Sequence, residues 1–248
     1  MSPSAFSFEP IFLALAVAAG ALYWRAARAE PPPRWRVVAF ASGLFLIAAS
    51  LNSPLETIAS QYLLLIHLLQ NALIADVAPL LVVLGLTPHM REALARRGLG
   101  RIRSRWILPL WLAAWYLTHL APFYDWALRT GWGLNLEHGI LMAAGLLFWW
   151  PIVSGRLAPP AGLGYLAVAF VGSSFLGLAY IFSSSPFYSF YEHAPQLWGL
   201  SHTRDQNLGG IFMNGEQTLV FLLAIGWFIV RLLDEEHAAG EPASLSDS

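Results

Sequence analysis

The sequence predicts an all-α protein, a polytopic membrane bundle of seven transmembrane helices, on three observations. First, 57% of its 248 residues are hydrophobic and only 12% are charged, whereas soluble domains carry about 25% charged residues. Second, seven apolar stretches approach the ~20 residues that a helix needs to span a bilayer. Third, the alternating polar and apolar pattern of a transmembrane β-barrel is missing.

The seven stretches are separated by short polar or arginine-rich loops. The first two are short and need flanking residues to complete a span. Pro79 and Pro109 fall inside predicted helices, which membrane bundles tolerate because neighbouring helices satisfy the freed backbone groups. The predicted helical segments are residues 10–27, 37–52, 61–87, 106–124, 138–153, 161–183 and 208–232.

The arginines predict the orientation of this bundle. The chain has 14 basic residues, all arginine, and 12 of them follow the first, third, fifth or seventh helix. Positively charged loops stay in the cytoplasm, so we expect the N-terminus outside and the C-terminus in the cytoplasm. Residues 1–236 are expected to form one domain, and residues 237–248 a disordered cytoplasmic tail.

Missing residue types exclude several functions. Without cysteine there is no disulfide and no thiolate metal site, and without lysine there is no retinal Schiff base. We find no Ser-His-Asp order, no glycine-rich phosphate loop and no nucleic-acid patch. An enzyme and a nucleic-acid partner are therefore not expected, and the arginine-rich loops suit the anionic headgroups of the lipid bilayer.

Four metal-competent side chains fall at one predicted depth, near the outer ends of four helices. They are His67 in the third helix, His119 in the fourth, His138 in the fifth, and Asp205 before the seventh. Imidazole is a good ligand for copper, zinc, iron and nickel. The topology therefore predicts a metal site in the outer layer, although each histidine could instead form interhelical hydrogen bonds and Asp205 could cap the seventh helix.

Two methionines lie on the same helix faces as these candidates. Met142 follows His138 by four residues, and Met213 follows Asp205 by eight. Thioethers are soft ligands that select Cu(I), so the chain's only soft donor set combines histidine with methionine. Packing in the core is the alternative role for both methionines.

Two acids fall deeper in the predicted bundle. Asp76 lies in the middle of the third helix, and Glu216 lies within the seventh. Intramembrane acids are costly, so they are protonated, hydrogen-bonded or paired with arginine. They are candidates for a proton or cation path, or are simply buried neutral acids.

Several motifs, in order along the chain, resemble those of the CtaG-type assembly factors of caa3-type cytochrome c oxidase. The third-helix motif of that family typically begins His-Met-x-Gln-His, so Asn71 stands where the family usually has a second histidine. Asp76 and Asn214 replace an apolar residue and a tryptophan. The matching motifs are Ser53-Pro54-Leu55, His67-Leu-Leu-Gln-Asn71, Ala78-Pro79-Leu80-Leu81 with Gly85, His119 with Pro122 and Tyr124-Asp125, Glu137-His138, Phe148-Trp149-Trp150-Pro151, and Asp205-Gln206-Asn207-Leu208-Gly209-Gly210 with Met213.

The resemblance implies a bacterial inner-membrane protein that supports assembly of a haem–copper oxidase by handling copper, favoured as Cu(I). Expected partners are oxidase subunits and a periplasmic copper chaperone. The metal ligands would be His67, His119, His138 and Asp205. The residues expected to orient these ligands are Gln70, Asn71, Glu137 and Gln206.

Three alternatives remain open from the residues. The same histidines could hold a b-type haem in an electron carrier. The bundle could transport copper or protons past Asp76 and Glu216. It could also be a scaffold whose histidines only bond across helices.

Overall fold

The computed structural model describes residues 2–240, and the side chains of residues 2–237. Within that part of the chain every regular element is a helix. The predicted tail at 237–248 overlaps the last helix at 237–240, and residues 241–248 lie outside the described part. The α-helices are α1 Pro10–Ala27, α2 Arg34–Leu51, α3 Pro54–Gln61, α4 Leu64–Ala72, α5 Ala78–Gly85, α6 Pro88–Arg96, α7 Ser104–Thr118, α8 Ala121–Arg129, α9 Gly131–Val153, α10 Pro159–Phe182, α11 Ser189–Glu192 and α12 His202–Gly240.

Six helices in the described part are long and apolar enough to cross a membrane. They correspond to six of the seven predicted segments, and large apolar side chains cover their outer surfaces, including Phe45, Phe175 and Leu223. An apolar exterior of this kind is expected where lipid is the solvent. The chain is therefore an all-helical membrane protein.

The remaining predicted segment, 106–124, is divided in the structure. Helix α7 has 15 residues, which is about 22 Å and shorter than the ~30 Å hydrocarbon core. It ends at Thr118, and α8 begins at Ala121 with Pro122 in its first turn. Proline has no N–H to continue a helix but suits the start of a new one. The prediction of one continuous helix over 106–124 was wrong for this reason.

Helix α7 nevertheless belongs to the bundle. It packs against α9 and α10, and its Trp111 and Trp115 are buried. Helix α12 packs most extensively against α10, and it also packs along α4. The starts of α4, α9 and α12 and the end of α7 consequently meet at one end of the bundle.

The third predicted segment is interrupted by a π-helical turn, residues Leu73–Val77, between α4 and α5. Pro79 causes the interruption, because it cannot donate the hydrogen bond that the carbonyl of Ala75 would accept in a regular helix. Helix α9 approaches this freed carbonyl at Gly145, where a Cβ atom would lie only 1.9 Å from the oxygen of Ala75. The π turn and Gly145 thus set the distance between α9 and the third span.

We expect Gly145→Ala to destabilise the protein by about 2 kcal/mol or more, because the methyl group would collide with rigid backbone. Thermal unfolding of the purified protein in detergent measures the effect. Gly139 lies on the same helix with no atom near its Cβ position, so Gly139→Ala is the matched control. The control should be neutral or stabilising, since alanine favours helix by about 1 kcal/mol over glycine. Equal melting temperatures for the two variants would contradict the proposed contact.

Candidate metal centre

His67 and His138 face each other inside the bundle. His67 lies near the start of α4 and His138 near the start of α9, and their ring centroids are 5.8 Å apart. Both side chains are buried, with 0% and 1% exposure. Neither ring nitrogen of His138 has a hydrogen-bond partner among the described residues. Two histidines from distant parts of the sequence therefore share one buried site.

A tyrosine determines which nitrogen His67 presents to this site. The Nδ1 atom of His67 lies 2.8 Å from the hydroxyl of Tyr191, and that hydroxyl donates its own proton to the carbonyl of Ala59. The tyrosine oxygen can then only accept from His67, so Nδ1 carries the imidazole proton. The Nε2 atom is left with a lone pair and no hydrogen-bond partner among the described residues.

Glu137 faces that lone pair. Its Oε1 atom lies 3.5 Å from Nε2 of His67 and accepts a hydrogen bond of 3.0 Å from the side-chain amide of Asn71. Its Oε2 atom has no partner in the part of the chain described. A carboxylate oxygen beside a bare imidazole nitrogen is stable only with a proton or a cation between them. The sequence prediction gave Glu137 an orienting role, whereas its carboxylate faces His67 directly.

His119 also has a ring nitrogen without a hydrogen-bond partner in the described chain. It follows the last residue of α7, and its Nδ1 atom lies 2.7 Å from the carbonyl of Trp115. A carbonyl only accepts, so Nδ1 is again the protonated nitrogen and Nε2 keeps its lone pair, without a partner in the described chain. The ring of Tyr124 lies between the two imidazoles, 5.7 Å from His119 and 5.0 Å from His67.

Asp205 has a structural task in this arrangement. Its two carboxylate oxygens accept hydrogen bonds of 2.8 Å and 3.0 Å from the backbone amides of Leu64 and Leu65. These amides open α4, so Asp205 caps the helix that carries His67 and not, as the sequence alternative had it, its own helix. The cap fixes the start of α4 against α12.

The other predicted ligand-orienting and soft residues surround the site without facing the imidazoles. Gln70 donates to the carboxylate of Glu56 and, over 2.9 Å, to the carbonyl of Ser50. Gln206 ties its helix to the preceding loop by bonding the backbone of Ser185 and Phe187. Met213 is buried in an aromatic cluster with Trp115 and Tyr124, and Met142 packs beside Phe12 and Ile47.

Sequence reasoning missed the tyrosines that cover the site. Tyr188 stacks on Tyr124 with centroids 4.1 Å apart and donates to the carbonyl of His119. Asp125 holds the covering segment, residues 188–192, in place, because its carboxylate accepts hydrogen bonds from the backbone amides of Ser189 and Phe190. Tyrosine is also common at membrane interfaces, so its frequency in the sequence carried no signal for this role. The cap that Asp125 forms on α11 helps to hold Tyr191 beside His67.

Asp76 and Glu216 form a separate, deeper site. Asp76 lies in the π turn, nine residues beyond His67, which is about 13 Å along a helix. Asp76 and Glu216 are near enough to interact electrostatically, and both acids have carboxylate oxygens without a hydrogen-bond partner within the described residues. The two predicted intramembrane acids are therefore neighbours, and Asp76 lies well away from His67.

The distances at the histidines are compatible with one shared ion. With metal–nitrogen bonds of about 2.0 Å and ring centres about 1.2 Å from each nitrogen, two imidazoles on one ion have centroids at most about 6.4 Å apart. Ligand atoms on a tetrahedral ion are separated by about 3.3 Å. The observed 5.8 Å between rings is below the maximum, which holds for collinear bonds, and above the about 5.2 Å expected at a tetrahedral angle, while the 3.5 Å between Nε2 and Oε1 is close to the tetrahedral separation. No three His, Asp or Glu side chains in the described chain already surround a common metal position, so a third donor would have to move.

A family model described as cytochrome c oxidase caa3 assembly factor matches residues 17–235. The chain belongs to this family. No curated protein and no solved structure gives a significant match. The assembly-factor family connects the chain with cytochrome c oxidase and with the membrane, in agreement with the apolar helices.

The match spans every element that carries the site of this assembly factor. It begins within α1 and ends within α12, so His67, His119 and His138 all lie inside it.

Glu56 lies within the matched region as well, on the short helix α3, and this residue is 1% exposed. Burial raises the pKa of Glu56 to about 7, the hydrogen bond from Gln70 opposes the rise, and the charge of Glu9 adds to it.

Protonation of Glu56 should make the assembly factor more stable at low pH. The native carboxyl group holds a proton up to a pKa of about 7, while the unfolded group releases it near 4.5. The contribution is complete below about pH 4.5 and is lost as the pH rises through about 7, with a span on the order of 3 kcal/mol. Glu56→Gln should flatten this part of the pH profile. Thermal unfolding at about pH 5 and about pH 8 measures it, and an identical slope in the variant would contradict the assignment.

Proposed function

We propose that this assembly factor binds copper at the buried histidines and delivers it to the oxidase during assembly. The observation that supports this most strongly is the pair of facing imidazoles of His67 and His138, with bare nitrogens in a buried site beside the carboxylate of Glu137. Buried lone pairs without partners are unfavourable, and a bound cation relieves them. His119, which also has an unpartnered ring nitrogen and whose ring centroid lies 5.7 Å from that of Tyr124, is a further candidate donor.

The ligand chemistry supports a transferable ion. Imidazole suits copper, and the proposed set of two histidines and one carboxylate leaves a coordination position open. An incomplete set binds less tightly than a closed one, which a delivery protein requires. We propose Cu(I) as the cargo, with Zn(II) as the competitor to be tested, and assign Met142 and Met213 to packing because both lie in apolar clusters.

We propose that α7 completes a seventh span, with the N-terminus outside and the arginine-rich ends of the helices in the cytoplasm of a bacterial inner membrane. The histidines then lie on the periplasmic side, where a copper chaperone can load the site and oxidase subunits can receive the ion. The role is non-catalytic.

Titration of the purified protein with Cu(I) against a competing chelator tests copper binding. The double variant His67→Ala with His138→Ala should weaken affinity by more than about 100-fold, because it removes two ligands from one ion. His89 is exposed on α6, so His89→Ala is the matched control and should bind like the wild type. No binding, or equal binding by the double variant, would refute the proposal. A Soret absorption band in the purified protein would favour the haem alternative instead.

Substitution of Asn71, which stands where the family usually has a second histidine, tests copper binding beside Glu137 in a second way. Asn71 is buried and donates to Glu137, one turn from His67. Asn71→His adds an imidazole at this position and should tighten copper binding by about tenfold. Asn71→Ala removes the amide without adding a ligand and should not tighten it. Equal affinities for the two variants would argue against a copper ion beside Glu137.

A further inference from the structure

An apolar groove opens at the opposite end of the bundle from the histidines. It has a volume of about 660 Å³ and lies between α2, α5, α9 and α12. Its apolar lining includes Leu80, Leu84, Val153 and Leu223. The volume is in the range of small-molecule sites, about 300–1,000 Å³. No part of this groove belongs to the proposed copper site.

Two arginines line the same groove. Arg36 donates through Nη1 to the carbonyls of Leu84 and Leu86, at 2.7 Å and 2.6 Å, and Arg91 donates through Nη1 to the carbonyl of Val153. Both residues thereby cap the final carbonyls of α5 and α9. Each guanidinium has five N–H donors, so capping leaves donors available for another acceptor.

These two charges repel each other and lack an acidic partner. Burial lowers the pKa of Arg91, and the charge of Arg36 lowers it further, so the two guanidinium groups are close enough to interact. The ion pairs formed within residues 2–237 include neither of them. Two neighbouring cations at the edge of an apolar groove are complementary to an anion attached to an apolar chain.

Two tryptophans line the groove where it meets the surroundings. Trp35 is 54% exposed and Trp227 is 44% exposed. Tryptophan favours the headgroup level of a bilayer, and both residues lie near the helix ends that carry the arginines. The exposed edge of the groove therefore carries residues that suit the headgroup level of a bilayer.

We propose that this groove binds an acidic phospholipid, with one acyl chain along the apolar lining and the phosphate between Arg36 and Arg91. Basic sites between transmembrane helices on the cytoplasmic side are suited to anionic headgroups, and paired guanidinium groups match phosphate oxygens well. The lipid would hold the ends of α2, α5 and α9 together by neutralising the arginines that cap them. This site is independent of copper binding.

Native mass spectrometry of the purified full-length protein in neutral detergent tests the proposal. Phosphatidylglycerol and phosphatidylcholine with identical acyl chains are added separately, and bound lipid is counted. We expect retention of one phosphatidylglycerol in preference to phosphatidylcholine. Arg36→Gln with Arg91→Gln should lower that retention on the order of tenfold, whereas Arg103→Gln, an exposed arginine outside the groove, should leave it unchanged.

Two further variants keep the test decisive if loss of the arginine caps impairs folding. Replacing both arginines by lysine preserves the charges and should preserve the preference for phosphatidylglycerol. Ala224→Phe fills the groove at an apolar lining position on α12 and should lower retention while leaving the charges in place. Equal retention of the two lipids, no effect of Ala224→Phe, or displacement of phosphatidylglycerol by inorganic phosphate alone would overturn the proposal.

Discussion

The hydrogen bond from Tyr191 to the carbonyl of Ala59 determines the chemistry of the histidine site. Because the tyrosine proton is committed to that carbonyl, His67 must donate through Nδ1 and present the lone pair of Nε2. Glu137 then faces a nitrogen that cannot donate to it. The cap that Asp205 forms on α4 fixes the position of that imidazole. The hydrogen bonds of Tyr191 thus leave two buried acceptors facing each other, which need a proton or a cation between them.

Polar groups in the bundle are separated by depth. The histidines and Glu137 lie beneath the covering tyrosines. Asp76 and Glu216 lie near each other at the depth of the π turn. Arg36 and Arg91 lie at the far ends of α5 and α9. Pro79 affects both the histidine site and the deeper pair of acids. The π turn that it causes carries Asp76 and lets α9 approach at Gly145. Since α9 also carries Glu137 and His138, the geometry of the π turn contributes to the spacing of the upper site.

The sequence predicted the helical class and six of the membrane-spanning helices, because hydrophobic composition and segment length suffice for these. It did not predict the division of 106–124, which depends on where Pro122 begins a new helix. The contact between Glu137 and His67 could not be predicted from the sequence either, because it depends on the rotation of α9 about its axis. Asp205 could be assigned as a cap from its residue type, but the helix that it caps is remote in sequence.

Composition and periodicity by themselves determined that this chain is a helical membrane protein with imidazoles near the ends of separate helices. Those properties are local, because each helix must be apolar and must satisfy its own backbone in lipid. Tertiary structure alone decided which nitrogen each histidine exposes, which carboxylate faces it, and that Arg36 and Arg91 share a groove. These properties depend on hydrogen bonds and packing between segments far apart in the chain, for which a single sequence carries no distance information.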